Sequence, residues 1–149
     1  MGSLIAVIIS NPNYIDKYSD IKKHKIKDLN YAFFSSEKYM KKIDKTINIE
    51  QIKDKNFVIN KNTTILNKFH IKHKLHDFIN VSSNSFITDF IKSGIGIGLV
   101  IKEFAESVDG IYEIKIKEEL PKAELVILIN SNKYHNIAIS YFINGLIGK

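Results

Sequence analysis

The stretch "FITDFIKSGIGIGLVI", residues 86–101, constrains the fold of this chain more than any other. Phe86, Ile87, Phe90 and Ile91 recur at helical spacing and set one apolar face. Gly94 falls where a helix needs a left-handed residue to stop. A β-branched run follows at once, carrying Gly96 and Gly98 at alternate positions. Glycine weakens a strand interior, and its use there marks a close approach of neighbouring backbone. A dinucleotide fingerprint would put its glycines between a strand and the helix after it, spaced G-x-G-x-x-G. Here the helix comes first, the spacing is G-x-G-x-G, and no lysine or serine follows as in a P-loop. These glycines serve structure, not a phosphate.

The rest of the chain repeats this alternation in short units. "LIAVIIS" (4–10) is an apolar run closed by the turn signal "NPN" and predicts a buried strand. "YIDKYSDIKKHKIKDL" (14–29) has no helical period and predicts a surface loop with a short strand. "NYAFFSS" (30–36) is a second apolar run, and Ser35 or Ser36 can cap a short helix "EKYMKKI" (37–43). Asn48 precedes a short helical turn, and "NFVI" (56–59) predicts a strand. Asn62 or Thr63 is the N-cap of a helix carrying Ile65, Leu66 and Phe69. "FINV" (78–81), "GIYEIKI" (110–116) and "AELVILI" (123–129) predict further strands, and "KEFAES" (102–107) a short helix. A last helix in "YHNIAISYFINGLI" (134–147) buries Ile137, Ala138, Tyr141, Phe142 and Leu146. Strands alternating with helices imply an α/β fold with a largely parallel sheet.

Composition narrows the function classes. The formal net charge is +6, but all 22 basic residues are lysine. Arginine supplies the bidentate fork for guanine and phosphate, so a DNA reader without any would be unusual. Apart from "KKHKIK" (22–27), the lysines are spread along the chain as solvated charge. No apolar run approaches the ~20 residues that span a bilayer. "SLIAVIIS" also lacks the basic flank and cleavage site of a signal peptide. The absence of cysteine removes disulfides, thiolate nucleophiles and Cys-based zinc sites. A soluble cytoplasmic protein is expected.

"VSSNSFITDFIKSGIGIGLVIKEFAE" (81–106) resembles the signature of the effector-binding domain of LysR-type transcriptional regulators. In that family a strand, a polar turn and a helix ending in Ala-Gly lead into G-I-G-hydrophobic and a proline. "INIEQIKDKNFVI" (47–59) is similar to the family's S-L-E-D-L…P-F-I segment, and "YAFFSSEKYM" (31–40) to its crossover strand. "LPKAELVILINSNKYHNIAISYFINGLI" (120–147) resembles the closing strand and helix. Two positions depart from the pattern: Ile101 stands where the proline usually is, and no arginine follows "FVIN".

The resemblance implies a type 2 periplasmic-binding-protein-like α/β fold, with two lobes joined by crossover strands. It places a partial first lobe at 3–30 and 126–149 and a complete, Rossmann-like second lobe at 33–122. It also implies a chain truncated relative to a whole regulator, without the winged helix-turn-helix, so that DNA is reached only through that missing domain. Self-association into a homo-oligomer follows from the apolar edges a partial lobe leaves. The expected ligand is a small organic anion held between the lobes, acting by population shift.

Helix N-termini present free N–H groups and a positive dipole end, which suits an anion. The candidate effector-binding residues are therefore the two helix starts, Asn60, Lys61, Asn62, Thr63 and Thr64, and Ser82, Ser83, Ser85 and Phe86. Lys61 offers a cation and Phe86 an apolar wall; the bland alternative is simple N-capping. His70, His73 and His76 lie three apart in "HIKHKLH" and two could share a metal, but no clear third ligand accompanies them beyond Asp77, and surface histidines are expected. No nucleophile elbow is present, and the Glu118–Glu119 pair reads as an exposed turn. No enzyme, cofactor, metal or membrane association is expected. The alternatives are a bilobal solute-binding protein and a small metal-dependent α/β enzyme.

Overall fold

The structure is a computed structural model and describes residues 5–10 and 21–130. The final helix expected at 134–147, and the loop expected at 14–20, lie outside the described residues. The strands are β1 (Ile5–Ser10), β2 (Ile21–Ser35), β3 (Phe57–Ile59), β4 (Asp77–Asn80), β5 (Ile97–Ile101), β6 (Tyr112–Ile114) and β7 (Lys122–Asn130). The helices are α1 (Thr64–His73), α2 (Asn84–Lys92) and α3 (Lys102–Ala105), with a single 3-10 turn at Ile49–Gln51. The chain divides into two compact units at Leu29/Asn30 and Pro121/Lys122, and β2 runs through the first boundary.

The first unit contains β1, β7 and the first half of β2. β1 pairs antiparallel with β7 from Ile5↔Ile129 to Ser10↔Glu124. The lysine-rich run 21–29, expected to be mostly loop, is strand throughout. Its side chains explain the difference. Lys23 Nζ lies 3.0 Å from Glu124 Oε1 and Lys25 Nζ 3.9 Å from Glu124 Oε2, so the long stems lie along β7 while their charges are paired.

The second unit is an α/β sandwich with strand order β6-β2-β5-β3-β4. β2 is antiparallel to both β5 and β6, whereas β3 is parallel to β5 and to β4. The sheet is thus mixed, and not largely parallel as the alternation predicts. β2 enters the unit directly from the preceding one, without a helical crossover, and so meets β5 head to tail.

Period-2 alternation distributes the core between two faces. Ala32, Phe34, Val58 and Val100 point to one face, where Ile87 and Ile91 of α2 and Ala105 of α3 cover them. Phe33 and Phe57 point to the other, where the Phe33 ring lies 6.0 Å from that of Phe69 on α1. Helices therefore flank both sides of the sheet. Gly94 and Gly96 act as expected, whereas Gly98 admits side chains of α2 and not neighbouring backbone. Gly94 takes φ +82 after α2, and a Cβ on Gly96 would lie 2.6 Å from the Asn56 carbonyl oxygen. A Cβ on Gly98 would lie 2.5 Å from Ile91 Cδ1 and 2.8 Å from Ile87 Cγ2. The close approach is that of α2 upon β5.

Residues 37–40 form a turn and 41–43 are irregular, in place of the short helix their sequence suggests. Ser36 begins it normally, with its carbonyl accepting from Tyr39 and Met40 N–H and its hydroxyl from Tyr39 N–H. The carbonyls of Met40 and Lys41 lie 2.6 and 2.8 Å from the Tyr112 hydroxyl, which ties the segment to β6 just after its first turn.

Candidate functional site

β3 and β4 are parallel neighbours, paired from Phe57↔Asp77 to Ile59↔Asn80. At its carboxyl end β3 leads to α1 on one face, while β4 leads to α2 on the opposite face. Adjacent parallel strands whose helices leave to opposite faces make a topological switch point, the preferred ligand crevice of open α/β sheets. The sequence-predicted residues therefore fall on two adjoining loops. Val81 N–H donates to Ile59 O at 2.8 Å, and Lys61 N–H donates to Asn80 Oδ1 at 3.1 Å, fixing one loop to the other.

The two helix starts differ in detail. Ser83 caps α2: its hydroxyl accepts from Ser85 N–H at 3.3 Å and lies 2.8 Å from the Ser85 hydroxyl. Thr63 occupies the N-cap position of α1, yet its side chain makes no capping bond. Asn60 is buried, and its Oδ1 accepts from Asn62 N–H at 3.0 Å, holding the turn that launches α1. Asn62, Thr64, Ser82 and Ser85 are exposed, while Thr63 and Ser83 are half-buried. Neither helix carries an acidic side chain in its first turn. Both starts keep their positive dipole ends, a setting favourable to an anion.

Lys61 does not stand as a lone cation. Its Nζ lies 3.0 Å from Asp77 Oδ2, at the far end of β4. Phe86 is 55% exposed although it shares the apolar spacing of α2, whose Ile87 and Ile91 are buried against the sheet with Phe90 packed beside them. That leaves its ring available as a wall beside the α2 start.

Of the three histidines, His70 is buried and not a surface residue. It faces Phe57, with ring centroids 5.7 Å apart, and its Nδ1 has no hydrogen-bond partner. Burial holds its imidazole well below the ordinary value, at about 4; Asp77 works against this shift and Lys61 with it. His73 packs its ring 4.4 Å from Phe69, and His76 is exposed. Among the described residues no group of three or more His, Cys, Asp or Glu side chains is placed to share a metal.

Sequence reasoning missed Asn80, and weighed His70 and Asp77 only as metal ligands. A signal for the first existed: "FVIN" and "DFIN" both end a short strand on asparagine just before a helix cap. A surface hollow of ≈ 420 Å³ lined by Glu37, Lys38, Lys42, Gly110, Ile111 and Tyr112 includes none of the predicted residues.

No family model matches this sequence, and no curated protein sequence matches it. Solved structures do. The chain is similar to the CcmR regulatory domain of Synechocystis PCC6803 in complex with 2-PG, with a TM-score of 0.77 and 16% identity, over 97% of this chain and 72% of that one. It is similar to a reduced form of OxyR from N. meningitidis, with a TM-score of 0.71 and 12% identity, over 95% and 69%. The effector-binding domain of QuiR in complex with shikimate matches with a TM-score of 0.71 and 12% identity, over 95% and 70%.

The fold is that of a LysR-type effector-binding domain.

This LysR-type fold is the type 2 periplasmic-binding-protein-like architecture that the resemblance implied. Its neighbours are regulatory domains of LysR-family regulators, and two of them are complexes with a small molecule, 2-PG and shikimate. No helix of the described residues is long and apolar enough to cross a membrane.

Proposed function

We propose that this chain is the ligand-sensing, non-enzymatic module of a LysR-type transcriptional regulator, that it responds to a small organic anion, and that it works in the cytoplasm as a homo-oligomer. The two units correspond in this reading to the two lobes of the family. The observation that carries it is the pairing of the fold with its switch point. Two helix starts without acidic first-turn residues meet at the ends of adjacent parallel strands. The anion binds there through N–H groups of α1 and α2, through the hydroxyls of Thr63, Thr64, Ser82 and Ser85, and through Lys61. Phe86 covers its apolar part. Binding favours one conformation of the chain, and the oligomer passes that bias to DNA-binding domains.

The test is a thermal-shift screen of small carboxylates and phosphates, with 2-PG and shikimate among them. A true ligand at one hundred times its Kd adds about 2.7 kcal/mol of stability. The expected result is a concentration-dependent rise in Tm for one anion class, lowered by Lys61→Gln. A screen in which no anion raises Tm, or in which neutral analogues do equally well, overturns the reading.

A further inference from the structure

Three charged or titratable groups, Lys61 of the α1 start with Asp77 and His70, form a chain within the second unit. Lys61 Nζ lies 3.0 Å from Asp77 Oδ2, and Asp77 Oδ1 lies 3.9 Å from His70 Nδ1. The outer pair is half exposed, at 45% each, while His70 is only 4% exposed. Nδ1 is an unpartnered polar atom in the core, aimed at the carboxylate that Lys61 already engages. We propose that Lys61, Asp77 and His70 couple anion binding to proton uptake: an anion that engages Lys61 frees Asp77 to hold a protonated His70. This rests on the anion reading above and adds to it a defined regulation by pH.

The coupling follows from charge. Without ligand, Lys61 and Asp77 neutralise each other, and His70 sits neutral among apolar neighbours. The charged groups that bear on it are Asp77, from the start of β4, and Lys61, from the turn before α1. On its own helix the next turn presents His73, whose ring is packed on Phe69, and from β3 it meets the uncharged Phe57. An anion at Lys61 cancels the positive field that disfavours the imidazolium, and the Asp77 carboxylate then acts on His70 unopposed. Closing the 3.9 Å gap to hydrogen-bond distance would satisfy the orphaned nitrogen. The bound form takes up a proton at a pH where the free form does not, so affinity falls as pH rises between the two pKa values. A unit charge at this range alters affinity about tenfold.

The first experiment needs no ligand. The His70 ring is titrated by NMR in the whole chain, in Lys61→Gln and in Asp77→Asn. Both substitutions are at half-exposed positions and leave the core intact. Lys61→Gln should raise the His70 pKa and Asp77→Asn should lower it further; equal values in all three proteins overturn the coupling. The second uses sulfate, whose charge is constant from pH 4 upward. Sulfate should move the Lys61–Ser85 amides and raise the His70 pKa in the wild type, with neither change in Lys61→Gln. If the amides move and His70 does not, the coupling is overturned while anion binding stands. If neither moves, the anion reading falls and the coupling with it.

Discussion

The starts of α1 and α2 do the same job by different means. At α2 the cap is local: Ser83 accepts from Ser85 N–H, two residues on, and the helix lies on glycines that follow it in sequence. At α1 the nominal cap, Thr63, is idle, and the turn is held by Asn60 and by Asn80 from the next strand. A locally built helix start is fixed once its own segment folds. One built on a neighbouring strand depends on that strand's placement, and is the better candidate to respond to a ligand.

The comparison can be broken most severely at the α2 seat. Ile91 is fully buried against Gly98, and Ile91→Ala should cost about 3–4 kcal/mol, read as the midpoint of urea unfolding. A loss under about 1 kcal/mol would mean that α2 is not anchored there.

Next in size is acid sensitivity, which belongs to α1 alone of the two helices. His70 titrates at 6.5 when unfolded and at about 4 when folded, so the unfolded chain binds the extra proton. Its contribution is complete above about pH 6.5 and declines as pH falls towards 4, by about 3 kcal/mol at most. Unfolding midpoints at pH 7 and 4.5 should differ markedly in the wild type and much less in His70→Phe. Parallel pH curves for the two proteins would contradict this.

Two cap substitutions give smaller effects and sharpen the contrast. Ser83→Ala should cost about 1 kcal/mol and disturb amides only near α2. Asn80→Ala, on the β4 side, should cost about 0.5–1 kcal/mol yet disturb amides at Lys61 and the start of α1. If its effect stays within β4, the dependence of α1 on its neighbour is wrong. Thr63→Ala should be the mildest, under about 0.5 kcal/mol, because the hydroxyl makes no capping bond. A loss as large as that at Ser83 would show an active cap.

Much of the second unit was legible in the residues because its signals are local. Gly94 stops α2, Asn48 precedes the 3-10 turn, and short apolar runs at 56–59 and 78–81 mark β3 and β4. The α/β class followed from strands alternating with helices, and the LysR-type architecture from the resemblance of 81–106 and the other quoted segments to that family. The candidate loops were legible as helix starts. Their adjacency was not, because it depends on parallel pairing of β3 with β4 and on α1 and α2 taking opposite faces.

What only the tertiary structure decided are the features set by partners distant in sequence. The lysine-rich run became strand because β7 lies beside it, with Glu124 pairing Lys23 and Lys25. Residues 37–43, expected as a helix, stop after one turn and are tied to β6 by the Tyr112 hydroxyl at the Met40 and Lys41 carbonyls. Lys61 gained Asp77, and His70 lost its water, through the packing of α1 against β3 and β4. Sequence by itself determines what a segment can do with its own hydrogen bonds and its own period. Pairing and burial of charge need a second segment, and its position is known only once the chain is folded.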